Sequence, residues 1–177
     1  IRQVAIGQSM TATPLQMARL AALVANGRRL PFPRIVATVG DEPVRDGGVD
    51  VDLEPGALAK VREGMRECAE SGTAKDRFVG KPGLEGVTVY GKTGTAIATG
   101  SDWVDEDVAR AERERQLAAD PHSRTLLPYH LWFVGYATKA STPTVAFACV
   151  LHARKAGAGG DAAAPVVQRF LSWWYAR

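Results

Sequence analysis

Val87-Thr88-Val89-Tyr90-Gly91-Lys92-Thr93-Gly94-Thr95-Ala96 is the stretch on which the reading of this chain turns. β-Branched and aromatic residues over 87–90 define a strand, Gly91 interrupts it, and residues 92–98 continue extended. Lys92-Thr93-Gly94-Thr95 sets a cation, two hydroxyls and a glycine on one extended segment. Such a set can bind a carboxylate and lets a peptide backbone approach closely. The tripeptide Lys-Thr-Gly recurs by chance in roughly a few chains per hundred of this size, so its surroundings have to carry the argument. Gly86 with Gly91-Lys92-Thr93 also satisfies the spacing of a phosphate-binding loop. That reading fails: the residues between the two glycines form a strand rather than a cradle, and the motif needs a helix directly after it.

Working outward, residues 130–137 and 144–151 read as two further strands, and 162–175 as a closing helix. Pro165 falls in that helix's first turn, and Val166, Val167, Phe170, Leu171, Trp174 and Tyr175 are available to cover the sheet. Upstream, Thr13-Pro14-Leu15-Gln16 is a helix start, with Thr13 as N-cap, Pro14 at the first helical position and Gln16 placed to complete a capping box. Asn26-Gly27 is its stop. The helix between is apolar nearly all round, which predicts burial on most sides. Residues 34–39 alternate as a strand, and 41–52 form a loop or hairpin. In the next helix Leu58, Val61, Met65 and Cys68 make one apolar stripe that ends at Ser71-Gly72, so Cys68 is expected to be a small buried hydrophobe. The class is α+β: an antiparallel sheet with helices, residues 1–80 mostly helical.

Residues 99–128 interrupt the strand series with a strongly charged insertion. Glu106, Arg110 and Glu114 stand four apart, so ion pairing on a short surface helix accounts for the charge. The insertion follows the Lys92 strand directly and could equally rim a groove.

Composition narrows the function classes. The chain has 177 residues, 46% of them hydrophobic, and 22 basic against 19 acidic residues scattered along it, a solvated surface rather than a nucleic-acid footprint. No apolar run reaches the roughly 18 residues a membrane span needs, and no signal-peptide pattern opens the sequence. Cys68 and Cys149 form no C-x-x-C pair, and His122, His130 and His152 lack metal-ligand spacing, so neither metal nor cofactor is expected. His130, opening a strand beside Trp132, reads as structural rather than as a base.

Taken together, these blocks resemble the penicillin-binding proteins, whose third active-site motif is K-T-G after S-x-x-K and S-x-N. Besides Gly91-Lys92-Thr93-Gly94-Thr95-Ala96, the family's blocks are matched in order by Ile6-Gly7-Gln8, by Thr13 to Ala18, and by Ala25-Asn26-Gly27 and Gly72-Thr73-Ala74. Trp132-Phe133-Val134-Gly135-Tyr136-Ala137 and Gly159-Gly160 with Ala164-Pro165 complete the series. Ile-Gly-Gln before Thr-Pro-Leu-Gln is most similar to the high-molecular-weight class B members. The resemblance covers nearly the whole chain.

The resemblance implies a fold and a chemistry. The fold is the transpeptidase fold shared with serine β-lactamases, of which residues 87–151 would supply the K-T-G strand and the two strands after it, and 162–175 the covering helix. The chemistry is D,D-transpeptidation of peptidoglycan stem peptides through a serine acyl-enzyme, open to inhibition by β-lactams. Lys92 would supply positive potential beside the nucleophile, Thr93 and Thr95 would bind the terminal carboxylate, and Gly94 would keep the strand bare. The Thr95 N–H would contribute half of an oxyanion hole. Such enzymes work on the extracytoplasmic face of the bacterial cell membrane, and any membrane attachment would come through the parent protein's anchor.

One departure stands against the match. None of the six serines, Ser9, Ser71, Ser101, Ser123, Ser141 and Ser172, has lysine three positions on or asparagine two positions on. The expectation is therefore a C-terminal portion of one transpeptidase domain, completed noncovalently or through a break by a segment carrying S-x-x-K and S-x-N. The alternatives are a noncatalytic binding module of the same family and half of a D,D-carboxypeptidase or β-lactamase.

Overall fold

The computed structural model describes residues 10–45, 47–97, 111, 114–115, 117–119, 129–153 and 159–177. Its centre is an antiparallel sheet of three long strands in the order β5 (Val87–Ile97), β6 (Tyr129–Lys139) and β7 (Val145–Ala153). Consecutive strands pair with their neighbours, Lys92 opposite Val134 and Phe133 opposite Cys149. The predicted interruption at Gly91 is not a break: β5 runs straight through it. A Cβ at Gly91 would lie 2.3 Å from the Phe133 ring. That glycine makes room for an aromatic side chain reaching across from the adjacent strand, so the sheet stays continuous while its core side is filled.

Each face of the sheet takes different helices. On one, Phe78, Phe133 and Phe147 stack in series with ring centroids 5.3 and 5.5 Å apart. They join Ala69, Val89, Ala163, Val167, Leu171 and Tyr175 in the main core. The closing helix α4 (Gly159–Tyr175) lies there. It begins three residues before the predicted start, which puts Pro165 inside it. Its buried row is Ala163, Ala164, Val167, Leu171 and Tyr175, and Val166, Phe170 and Trp174 face outward, contrary to expectation. Spacing of four selects that row, because the helix bears on the sheet along a line and not over half its circumference.

The first helix, α1 (Pro14–Asn26), packs on β6 and β7. The predicted caps are present: Thr13 Oγ1 accepts from the Gln16 N–H, the Gln16 side chain accepts from the Thr13 N–H, and Gly27 closes the helix in the left-handed conformation. Its burial falls short of the prediction. Ala21 and Leu23 are buried, whereas Leu15 and Leu20 stand about half exposed.

The stripe predicted for α2 (Pro55–Glu70) is also displaced. Val61 is exposed, and Arg62 takes the inward position. Its guanidinium donates to the carbonyls of Val24 and Ala25 at 2.8 Å each, capping the end of α1. A cation at a helix C-terminus satisfies carbonyls that have no partner within the helix. Cys68 is half-buried against the core.

Residues 34–39 do not form the predicted strand. Only β2 (Thr38–Val39) is extended, paired with β3 (Glu42–Pro43), and β1 (Arg29–Leu30) pairs with β4 (Val49–Asp50). Ile35 is fully exposed and Val36 half exposed, so alternation there has no surface to pack on and cannot hold a strand. The hydrogen bonds and ion pairs that Arg29 and Arg28 make with Asp50 tie this lobe together, and they hold the Asp50 pKa below its ordinary value. The turn helix α3 (Lys75–Phe78) delivers Phe78 to the core. Of the charged insertion, the described residues 111, 114–115 and 117–119 are helical and exposed. The Glu106–Arg110 pairing, like the Ile6-Gly7-Gln8 block, lies outside the described residues.

Candidate active site

All four residues singled out from the sequence lie on β5, at one edge of the three-stranded sheet. Alternation along a strand divides them between its faces. Lys92 is exposed on the face that carries Tyr90 and Tyr136, and its Nζ donates to its neighbour's carbonyl, Thr93 O, at 2.6 Å. Thr93 and Thr95 share the opposite face with Phe133 and Leu131, their cross-strand partners. Thr93 is half-buried and Thr95 exposed. Gly94, between them, carries no side chain on the Trp132 side.

Two other segments converge on this strand. Thr73, in the turn between α2 and α3, places its Oγ1 2.9 Å from Thr93 Oγ1. Cys68 Sγ lies 3.4 Å from the same Thr73 oxygen. The beginning of α4 presses on the strand's backbone: a Cβ at Gly159 would lie 2.3 Å from Trp132 O and 2.7 Å from Gly94 O, and one at Gly160 2.1 Å from Thr73 O. Only glycine permits a helix start this close to a strand. The Arg77 guanidinium pairs with Asp161 at 3.1 Å and ties the α3 turn to the same helix start. Along the sequence Thr73 and the two glycines stand out only as parts of blocks that resemble the family's, because residues 73, 93 and 160 meet only in the fold.

His130 sits near the start of β6, cross-strand from Ala96 and His152. The two imidazoles meet edge to face with centroids 5.8 Å apart. Burial, and then the charge of His152, push the His130 pKa below its ordinary 6.5. A depressed value means that the folded state prefers the neutral ring, so the associated stability is present above about 6.5 and is lost as pH falls through the folded value. Thermal unfolding between pH 7 and 5 should therefore show a declining midpoint. The decline should be shallower in His130→Gln, and an identical slope in both proteins would contradict this assignment.

Residues 1–172 match the family described as the penicillin binding protein transpeptidase domain. The chain is 32% identical over 167 residues to penicillin-binding protein H of Bacillus subtilis, with 85% of this chain and 20% of that protein covered. It is also 32% identical over 176 residues to the peptidoglycan D,D-transpeptidase MrdA of Acinetobacter baumannii, covering 95% of this chain and 24% of the other. A chain in the solved structure of a peptidoglycan synthase complex that coordinates polymerization and crosslinking superposes with a TM-score of 0.67 at 26% identity. That match covers 97% of this chain and 25% of its counterpart. The chain thus spans about a fifth to a quarter of the length of these relatives. With the family's motif strand in its sheet and the family matched over residues 1–172, this chain belongs to the penicillin-binding protein transpeptidase family.

Proposed function

We propose that this chain forms the C-terminal portion of a peptidoglycan D,D-transpeptidase domain, completed by a segment or separate chain that carries S-x-x-K and S-x-N. The observation that carries the reading is the K-T-G strand itself: Lys92 exposed, Thr93 and Thr95 on one face, and Gly94 bare between them at a sheet edge. Membership of the family and the relative named as a D,D-transpeptidase support it.

In this mechanism the serine of the completing segment attacks the carbonyl of the D-Ala-D-Ala bond, and its proton passes to a neighbouring base. The tetrahedral oxyanion collapses, the terminal D-alanine leaves with a proton, and an ester to serine remains. An amine of a second stem peptide then attacks the ester, forming the crosslink and regenerating the serine hydroxyl. Thr93 and Thr95 bind the carboxylate of the departing residue, the Thr95 N–H contributes to the oxyanion hole, and Lys92 supplies positive potential that favours the developing negative charge. Gly94 lets the stem peptide lie along the strand. β-Lactams acylate the same serine. The place of work is the extracytoplasmic face of the bacterial cell membrane, on the periplasmic or cell-wall side. Among the described residues no helix is long and apolar enough to cross a membrane.

The test is a denaturing gel and intact mass of the native protein after incubation with a fluorescent penicillin. Label on the serine-bearing segment or copurifying chain, with residues 1–177 unmodified, is the expected result. Absence of label anywhere overturns the catalytic reading in favour of a noncatalytic binding module.

A further inference from the structure

We propose that Thr73 is a positioning residue that orients the hydroxyl proton of Thr93 toward an anionic group on the substrate. The inference rests on the reading above, in which the K-T-G strand takes the carboxylate of the stem peptide. Thr93 Oγ carries one proton, and its partner at 2.9 Å is another hydroxyl, so only one of the two can donate across that contact. Were Thr93 the donor, its lone pairs would face the incoming carboxylate and repel it. With Thr73 as donor, the Thr93 proton is released for a charge-assisted hydrogen bond to the anion.

Thr73 can hold the donor role because its own oxygen has a second neighbour. Cys68 Sγ lies 3.4 Å from Thr73 Oγ1; in the proposed arrangement its S–H is the donor to that oxygen, which gives a one-directional chain from the thiol through two hydroxyls to the substrate. Each bond in such a chain polarises the next. The backbone around it admits little drift. Thr73 O lies where a Cβ of Gly160 would approach to 2.1 Å, and Thr93 Cγ2 would be 3.3 Å from the same Cβ. The turn that bears Thr73 is thus wedged between α4 and β5, which fixes the backbone that carries the Thr73 hydroxyl beside that of Thr93.

The experiment measures acylation rates of the complete transpeptidase, with its serine-bearing segment, by benzylpenicillin and by its methyl ester, which lacks the carboxylate charge. In Thr73→Val, isosteric but without a hydroxyl, acylation by benzylpenicillin should fall about tenfold and acylation by the ester less than about twofold. Thr73→Ser should restore the wild-type ratio. Thr73→Ala should reproduce the selective loss, and it replaces the valine variant if that protein does not fold. An equal loss with both probes would mean that Thr73 only supports the turn, and an unchanged rate with both would show that Thr93 needs no such partner. Either result overturns the relay. A wild-type protein that neither probe acylates overturns the catalytic reading itself, and the relay falls with it.

Discussion

Gly159→Ala should destabilise the protein by about 3 kcal/mol and detach the closing helix from the motif strand. The added methyl carbon would sit 2.3 Å from Trp132 O and 2.7 Å from Gly94 O, both backbone atoms of paired strands. Neither β5 nor β6 can yield without breaking its ladder, so α4 must move instead. Moving α4 withdraws Val167, Leu171 and Tyr175 from the core beneath Phe133. It also breaks the hydrogen bond from Tyr175 Oη to Ala137 O at 2.9 Å. Urea unfolding of the intact protein checks this through the shift of its midpoint. A midpoint equal to wild type would show that the helix start yields at no cost, which the packing forbids. Because Gly94 is one of the two contacts, penicillin acylation should fall in parallel.

Lys92→Ala should leave the fold intact and lower the rate of acylation by penicillin about 10²–10³-fold, the usual cost of losing one preorganised electrostatic partner of a transition state. The contrast with Gly159 is the informative part. Lys92 is exposed, and the hydrogen bond its side chain makes goes to the adjacent carbonyl, Thr93 O, so its removal uncovers no buried partner. Stopped-flow acylation set beside thermal unfolding separates the two effects. A rate within about threefold of wild type would remove Lys92 from the chemistry. A large drop in unfolding midpoint would instead make it a structural residue.

Much of the fold could be read along the chain because its signals are local. The capping box at Thr13 and Gln16, the stop at Gly27 and the period-two pattern after Val87 each depend on residues within a few positions of one another. Their structures follow from those neighbours. Failures occurred wherever burial decides. Residues 34–39 alternate like a strand, but nothing covers Ile35 and Val36, so extended structure persists only at Thr38 and Val39, where a tight hairpin supplies partners. Val61 and Arg62 exchanged roles because the end of α1 needed a donor for the carbonyls of Val24 and Ala25 more than it needed another apolar contact.

The motif residues divide along the same line. The chain's local patterns already placed Lys92, Thr93, Gly94 and Thr95 on one extended strand, put two more strands after it, and set blocks that resemble the family's in the family's order. Only the tertiary structure brought Thr73 from 20 residues upstream to within 2.9 Å of Thr93, and the start of α4 against Gly94. The reason is physical. Local patterns encode which dihedral angles a segment prefers, whereas contacts between distant segments arise from packing a shared core. Here that core is built on Phe78, Phe133, Phe147 and Leu171, whose joint burial sets where each turn comes to rest.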